Sequence, residues 1–230
     1  MRILERLPRE SGRDYALRTI KENIIHAELE PGAYISENEL AAELGLSRTP
    51  VREALIELAR AKAVEIAPQK RSMVALIDYS LVEEARFTRN VLECAVVTLC
   101  CNMATEEDLF HLSENVKLQE YYMSNGQYDS IMELDDRFHE MLFDIAQKPQ
   151  VFYLVQNMAI HFDRVRSIAL NGIHDLEIVD DHRKILEAIR CRDCKLAEAL
   201  MEIHLNRCKI DAIAIRKNYP QYFSPEPGAT

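Results

Sequence analysis

Glycine and proline are scarce in this chain of 230 residues, which contains 6 and 8 of them. A β-sandwich or β-barrel needs many tight turns, and these two residue types commonly form them. Their scarcity argues against both architectures and favours a mostly helical protein. The length is sufficient for one or two domains with a substantial core.

Long uncharged hydrophobic segments are also missing. The uncharged stretch of residues 94–105 is too short and too rich in Cys and Thr to cross a bilayer of about 30 Å. The N-terminal residues carry scattered charges and have no apolar core of the kind found in a signal peptide. We therefore predict a cytoplasmic protein with no membrane segment.

A disulfide framework is not indicated by the six cysteines. They lie in helix-like stretches, which is typical of reduced thiols in a reducing compartment. Cys191 and Cys194 form a Cys-x-x-Cys pair, but a structural zinc site would need two further ligands, and Cys208 alone does not supply them. A redox pair would normally stand at a helix N-terminus beside a strand. We interpret this pair as incidental cysteines of a turn.

Positive charge is not in excess, because 28 Lys and Arg against 38 Asp and Glu give a net charge of −10. This balance argues against a protein that coats nucleic acid through bulk electrostatics, but it permits a local DNA-binding face. Residues 1–80 carry 12 basic and 13 acidic groups, whereas residues 81–230 carry 16 and 25. The acidity therefore belongs to the second part of the chain.

Helical periodicity in the first part predicts a helix-turn-helix. Helices are predicted over residues 14–28 and 37–44 and from 47 to about 61. Ala41 is small where the last two helices would cross, Gly45 lies in their turn, and Val51 is the expected core anchor of the second. Two short apolar runs around a basic turn, within residues 64–77, predict a β-hairpin wing.

Two serines are expected to cap these helices. Ser36 and Glu39 have the spacing of a capping box, in which a hydroxyl and a carboxylate satisfy free amides at a helix start. Ser47 is the expected cap of the third helix, and Pro50 lies within its first turn, where a missing N–H does no harm.

The start of the third helix is the predicted DNA-reading element. It carries two arginines and no acid at the end where the helix dipole and free amides favour a phosphate. Arginine can grip guanine in the major groove, neighbouring hydroxyls can hold phosphate oxygens, and a basic wing tip can reach further phosphates or the minor groove. A surface helix with ordinary solvated arginines is the alternative. The predicted DNA-contacting residues are Ser47, Arg48, Thr49, Arg52, Lys70 and Arg71.

Beyond residue 78 the pattern is helical almost to the end. Turn residues such as Asn125-Gly126, Pro149 and Asn171-Gly172 separate the helical segments. The predicted helices span residues 80–102, 105–123, 127–147, 149–170, 175–191 and 194–217. We predict a winged helix-turn-helix domain over residues 1–78, an all-α bundle of six to seven helices over 79–218, and a frayed tail over 219–230.

Residues 40–55, which read LAAELGLSRTPVREAL, resemble the winged-helix domain of GntR-type bacterial transcription regulators. Pro31-Gly32 before this run and Pro68-Gln69-Lys70 after it belong to the same resemblance. The helical remainder resembles the FCD ligand-binding domain of the FadR-like subfamily, so that the likeness spans about residues 12 to 212. Two positions depart from the family pattern: Asn38 replaces a frequent Arg that contacts DNA, and Arg71 replaces the usual Gly at the wing tip.

Three histidines and one aspartate in the helical part are candidate metal ligands. Asp135 and His139 are four residues apart on a strongly helical segment, so their side chains point the same way. His182 and His204 lie on the last two predicted helices, at similar heights relative to the turn between them. Three imidazoles and a carboxylate suit a divalent cation such as Zn, Ni or Mn, with positions left for water or a ligand carboxylate. The same pattern is what the FCD resemblance implies.

Alternatives to this ligand set remain open. Each histidine taken singly also suits an ordinary hydrogen-bonded or exposed role. His161 is an alternative imidazole, and Asp136 is an alternative carboxylate, although it is three rather than four residues from His139.

The resemblance also implies an effector-binding arginine. Arg89 stands in an Arg-x-x-Leu-Glu element like that of the family, where a guanidinium would hold the carboxylate of an organic-acid effector. A surface ion pair between Arg89 and Glu93 is the alternative. Arg164 and Arg166 are weaker candidates for the same pocket.

Together these features predict a homodimeric, ligand-responsive transcription regulator that binds a palindromic operator in duplex DNA. An organic acid bound near the metal would shift the helical domain between states of different DNA affinity, and the resemblance implies a repressor. The alternatives are a metal-dependent enzyme that carries a DNA-binding domain and a metal sensor in which the ion is the signal. Enzyme motifs such as a Gly-rich phosphate loop, a nucleophile elbow or His-Glu-x-x-His are absent from the sequence, and no catalytic residue is assigned.

Overall fold

A computed structural model describes residues 1–66, 72–172 and 177–225, apart from the side chains of 171–172 and 208–212. The N-terminal part contains helices and one antiparallel sheet in which β3 lies between β1 and β2. Its elements are α1 (Gly12–Ile25), β1 (Tyr34–Ile35), α2 (Glu37–Leu44), α3 (Arg48–Arg60), β2 (Val64–Glu65) and β3 (Ser72–Val74). This order confirms the predicted winged helix-turn-helix.

The turn between α2 and α3 is built as the sequence pattern predicts. Gly45 has a left-handed backbone (φ 64°, ψ 31°). Glycine adopts this conformation at little cost in free energy because it has no side chain. The Leu46 N–H donates to the Ala41 carbonyl at 2.9 Å and closes the turn. Val51 is completely buried and holds α3 against the core. The start of α3 is therefore fixed in direction by a short, rigid turn.

The predicted side-chain caps of α2 and α3 are wrong. Ser36 and Ser47 occupy the N-cap positions with extended backbones, but in the described chain neither hydroxyl makes the capping hydrogen bond. Glu39 and Ser47 are exposed, so water competes for the polar groups that a capping bond would have joined. Both helices bury an apolar face, which consists of Leu40, Ala41 and Leu44 on α2 and of Val51, Ala54, Leu55 and Leu58 on α3.

The second part is a helical bundle, which confirms the predicted class. Its seven helices within the described ranges are α4 (Tyr79–Met103), α5 (Glu106–Ser124), α6 (Tyr128–Ile145), α7 (Pro149–Met158), α8 (Ile160–Gly172), α9 (Glu177–Arg190) and α10 (Cys194–Asn218). The single helix predicted over 149–170 is divided at Ala159 into α7 and α8. In the described part of the chain, no helix is both long and apolar enough to cross a membrane.

Helix α8 lies at the centre of the molecule. One side packs against α4 and α10, which run along each other, and another side contacts α1 of the winged helix. Ile160 and Leu170 of α8, together with Ile131 and Met132 of α6, join the apolar core of the N-terminal part. The two parts are therefore in extensive contact. We propose to divide them at Asp78, whose carboxylate accepts a hydrogen bond from the Ser80 amide at the start of α4.

The beginning of the tail is packed rather than frayed. Residues Pro220–Tyr222 form a short 3-10 helix, and Phe223 is buried beside Ile77, Val165 and Ile215. The Ile77 N–H donates to the Tyr222 carbonyl at 2.8 Å, and the Ser224 N–H donates to the Ile77 carbonyl at 3.0 Å. Burial of one aromatic ring thus offsets the entropy of ordering this segment.

Candidate metal centre and DNA-facing helix

Three helices bring the four predicted metal ligands together in the bundle. Asp135 and His139 lie one turn apart on α6, His182 lies on α9 and His204 lies on α10. All four are buried, and one donor atom from each lies within 4.8 Å of the other three. The four side chains converge on one point from different elements of the fold.

The spacing of the donor atoms matches a coordination sphere. His204 Nε2 lies 3.1 Å from His139 Nε2 and 3.3 Å from His182 Nε2. The Asp135 carboxylate lies 3.5 Å from His182 Nε2 and 3.8 Å from His139 Nε2. Ligand atoms about 2.0–2.2 Å from one divalent cation stand roughly 3 Å or slightly more from each other. The residues present therefore fit such a cation.

The outer nitrogen of each imidazole faces an oxygen atom. His182 Nδ1 lies 2.8 Å from Gln119 Oε1, and His139 Nδ1 lies 2.5 Å from Glu93 Oε2. His204 Nδ1 lies 3.6 Å from a carboxylate oxygen of Asp181. An acceptor at Nδ1 favours the tautomer with its proton there and leaves the Nε2 lone pair free for a metal. This arrangement is typical of histidine ligands in metalloproteins.

The electrostatics of the site favour a neutral His182, a neutral His204 and a charged Asp135. Burial and the neighbouring imidazoles lower the pKa of His182, and burial lowers the pKa of His204. Burial opposes the charged form of Asp135, but Arg166 and the imidazoles lower its pKa well below the usual range. These are the protonation states that a divalent cation requires of its ligands.

Arginines surround a small cavity beside this cluster. The cavity has a volume of about 20 Å³, close to that of one water molecule, and borders Asp135 and His204. The arginines that line the cavity are Arg89, Arg166 and Arg207. Arg89 is buried, donates from Nε to Glu93 at 2.6 Å, and stacks its guanidinium 4.8 Å from the Phe162 ring centre. The ion pair with Glu93 exists, but it lies in the interior and not on the surface.

The alternative ligands named from the sequence lie elsewhere. His161 contacts the Lys62 carbonyl and the Asp78 amide, at the joint between the two parts of the chain. Asp136 is partly exposed and pairs with Arg166. Arg164 is buried two positions away from Arg166 on α8, outside the residues that line the cavity, and its two Nη atoms have no hydrogen-bond partner among the described residues. Helical geometry turns Arg164 away from the cluster, because residues two apart point to different sides.

Sequence reasoning missed part of the site. Arg166 was only a weak candidate, yet it lies 3.4 Å from the carboxylate of Asp135. Gln119 was not identified, because its role depends on the packing of α5 against α9, which no spacing along the chain reveals. Glu93 belongs to the Arg-x-x-Leu-Glu element, but its spacing gives no sign of a contact with His139. Asp181 directly precedes His182, and an acidic residue in that position is a signal that could have indicated an outer partner.

The predicted DNA-reading residues of α3 form an exposed group. Ser47, Arg48, Thr49 and Arg52 are all exposed at the start of the helix. Glu37 of α2 pairs with both arginines, at 3.4 Å from Arg48 and 3.0 Å from Arg52. This carboxylate holds the two guanidinium groups side by side. Lys70 and Arg71, predicted at the wing tip, lie outside the described residues.

The cysteine pair at the turn before α10 is reduced. Cys191 is exposed and Cys194 is partly buried, and both are free thiols. Neither belongs to the four-residue metal cluster.

Family models match both parts of the chain. The model described as "Bacterial regulatory proteins, gntR family" matches residues 15–74, and the model of the FCD domain matches residues 84–207. The second match contains the whole His and Asp cluster, and the first contains α3.

Relatives of similar length match most of the chain. The HTH-type transcriptional repressor RspR of Escherichia coli strain K12 is 32% identical over 210 residues, which cover 91% of this chain and 92% of the relative. An HTH-type regulator from an unstable DNA locus of Streptomyces ambofaciens is 33% identical over 223 residues, with 95% and 92% covered. The solved structure of E. coli McbR/YncC has a TM-score of 0.75 at 22% identity and covers 93% of this chain and 99% of its own. This last likeness concerns the fold alone.

Proposed function

Because the chain belongs to the GntR family and carries an FCD domain, it is a DNA-binding transcription regulator, and we propose that it is a dimeric repressor controlled through its buried metal cluster. The observation that carries the proposal is the convergence of three Nε2 atoms and one carboxylate, with an oxygen atom 2.5–3.6 Å from the outer nitrogen of each imidazole. Repression is suggested by the name of the E. coli relative RspR.

The proposed DNA contacts are made by the start of α3. Its two arginines are held together by Glu37, and its first amides are not occupied by the Ser47 hydroxyl. An exposed helix start of this kind suits entry into the major groove, with arginine on guanine and hydroxyls on phosphate. Because a single small basic face gives limited affinity, we propose two half-sites of a palindrome and a two-fold symmetric dimer.

We expect Arg48→Ala and Arg52→Ala each to weaken specific DNA binding by about 1–3 kcal/mol, since each removes a candidate base contact. The operator is first selected from randomised duplexes, and affinity is then measured by fluorescence anisotropy at fixed salt. Arg60→Ala is the matched control, because Arg60 is an exposed arginine at the other end of α3. If Arg48→Ala and Arg52→Ala bind the operator with the same affinity as the control Arg60→Ala, the assignment is wrong.

The four proposed metal ligands are Asp135, His139, His182 and His204, and the favoured ions are Zn, Ni and Mn. When bound, the ion would supply open coordination positions for a carboxylate oxygen. Arg89 and Arg166 would add positive charge on the cavity side of the cluster. This combination suits a small organic acid.

We expect protein purified without an affinity tag to contain about one divalent ion per chain. Asp135→Ala and His204→Ala should remove it, because each deletes one of four donors, whereas His111→Ala should retain it, because His111 is exposed on α5. Elemental analysis measures the ion, and circular dichroism verifies that each variant is folded. A wild-type chain that takes up none of the three metals when they are added at excess would refute the metal proposal.

The size of the cavity favours a second candidate, a metal sensor. About 20 Å³ accommodates an atom-sized occupant, so an organic acid can enter only if the surrounding helices move apart. A thermal-shift screen of organic acids, with and without Zn²⁺, separates the two functions. Stabilisation by an acid that requires Zn²⁺ and weakens in Arg89→Lys supports the effector, because lysine lacks the guanidinium fork. A change of DNA affinity with Zn²⁺ alone and with no acid supports the sensor.

A further inference from the structure

Arg166 is shared between the metal cluster and the boundary with the winged helix. Its side chain is buried and pairs with three carboxylates. Asp135, a proposed metal ligand, lies 3.4 Å from Nη1, and Asp163 lies 3.5 Å from the same nitrogen. Asp136 pairs with Nη2. One guanidinium thus contacts a proposed metal ligand, Asp135, and two further carboxylates, one through each terminal nitrogen.

Those two further carboxylates face the DNA-binding part of the chain. Asp136 and Asp163 line a crevice of about 570 Å³ whose opposite wall is formed by α1. Lys21 of α1 lines the same crevice and is close enough to Asp163 to act on it electrostatically. The charges therefore form a chain from the metal cluster to α1, in the order Asp135, Arg166, Asp163, Lys21.

Burial makes the inner part of this chain, from Asp135 through Arg166 to Asp163, effective. Asp135, Asp163 and Arg166 are each at most 7% exposed, so water and salt screen their interactions weakly. Exposed pairs at similar distances would transmit much less. A change in the charge that surrounds Asp135 must therefore be felt by the other partners of Arg166.

We propose that Arg166 is a positioning residue that couples metal occupancy at Asp135 to the docking of α1 against α6 and α8. A cation bound to Asp135 neutralises part of the carboxylate's negative charge and so weakens the attraction between Asp135 and Arg166. Arg166 then binds Asp136 and Asp163 more strongly, which leaves less negative charge for Lys21 and loosens α1. The inference rests on the proposed metal site and adds the route by which that site influences the winged helix.

The test is hydrogen exchange of the full chain with and without saturating Zn²⁺. The readout is the exchange rate of the α1 amides divided by that of the amides at the N-terminal end of α5. This ratio cancels any effect of Zn²⁺ on the stability of the whole protein. In the wild type we expect Zn²⁺ to raise this ratio about fivefold or more. In Arg166→Gln and in Lys21→Met we expect a change below about twofold.

Lys21→Met keeps the test valid if Arg166→Gln folds poorly, because Lys21 is only partly buried and lies outside the metal cluster. Its Zn²⁺ affinity should remain within about twofold of the wild type. Arg137→Gln is the matched control, since it removes an exposed arginine from α6, and its ratio should respond to Zn²⁺ as the wild type does.

The outcomes separate this inference from the proposed metal site. If the wild type binds Zn²⁺ but the ratio is unchanged or falls, the inference is wrong and the metal site stands. The inference is equally wrong if both variants respond as the wild type does. If the wild type binds no Zn²⁺, the metal site itself fails and the coupling fails with it.

Discussion

His161 is a buried histidine whose two ring nitrogens join the two parts of the chain. Its Nδ1 accepts a hydrogen bond from the Asp78 amide at 3.2 Å, and its Nε2 faces the Lys62 carbonyl at 3.2 Å. A neutral ring with its proton on Nε2 satisfies both partners. Burial and the positive charge of Arg164 lower the pKa of His161 to about 4, although the Lys62 carbonyl and the negative charge of Asp78 oppose this shift.

This lowered pKa predicts a loss of stability in mild acid. An unfolded histidine has a pKa of about 6.5, so below that pH the unfolded chain takes up a proton that folded His161 refuses. The resulting loss in the free energy of unfolding is absent above about pH 7 and grows until the pH falls to about 4. Between pH 7 and pH 5 we expect His161→Gln to lose about 2 kcal/mol less stability than the wild type, as measured by urea unfolding. His111→Gln, which changes an exposed histidine, should lose as much as the wild type; equal losses in all three proteins would contradict the prediction.

For the metal cluster, the sequence predicts which ligands lie together but not which residues contact their outer nitrogens. Helical spacing placed Asp135 beside His139, and the turn before α10 placed His182 opposite His204. The partners at the outer nitrogens were not predictable in this way. Gln119 reaches His182 across a gap of 63 positions, and only the packing of α5 against α9 brings them together.

At the scale of elements, the break between α7 and α8 is the main difference from expectation. Neither Gly nor Pro is present near Ala159, so the sequence has no local signal for the end of a helix. The Ala159 N–H reaches the Gln156 carbonyl at 3.5 Å, and Ala159 itself is buried. The change of direction lets α8 run through the middle of the molecule, and this is a tertiary requirement that overrides local helical preference.

The capping serines and threonine allow a test at the same scale. Thr105 forms a complete capping box with Asp108 at the start of α5, whereas Ser36 has the sequence of a box but no side-chain capping bond. We therefore expect Thr105→Ala to destabilise the protein by about 1 kcal/mol and Ser36→Ala to change stability by a few tenths at most. Urea unfolding followed by circular dichroism measures both, and hydrogen exchange at the start of α5 locates the first effect. Equal losses in the two variants would show that the caps behave alike in solution.

At the scale of the whole molecule, the two predicted regions share more contact than their sequences indicate. Apolar residues of α6 and α8 complete the core of the winged helix, and Phe223 returns from the end of the chain to Ile77 at the joint. The periodicity of each helix predicts that it has an apolar face, but it does not identify the partner of that face. Both regions could be recognised from sequence motifs, while their docking depends on contacts between residues far apart in the chain.

One exposed face of the bundle has the composition of an interface. On α4 every fourth residue from position 87 is exposed and uncharged, and on the neighbouring α10 further apolar side chains are exposed. These residues are Phe87, Val91, Ala95, Leu99 and Met103 on α4, and Leu196, Ala199 and Ile203 on α10. A solvated helix face normally carries charge, and a contiguous apolar patch is typical of a protein contact. We propose that a second copy of the chain covers this face around a two-fold axis, because a symmetric dimer is what a palindromic operator requires.

We expect Phe87→Asp and Val91→Asp to convert the dimer to monomers at micromolar concentration, because each buries a charge within the proposed contact. Sedimentation velocity measures the oligomeric state. Tyr153→Asp is the control, since Tyr153 of α7 is as exposed as Phe87, at 63% against 65%, but lies outside this face. The monomeric variants should bind one half-site as the wild type does and lose the additional affinity for the palindrome, because α3 itself is unaltered. A wild-type dimer that survives both substitutions would place the interface on another surface, and a wild-type monomer that binds the palindrome no better than its half-site would refute the two-fold arrangement.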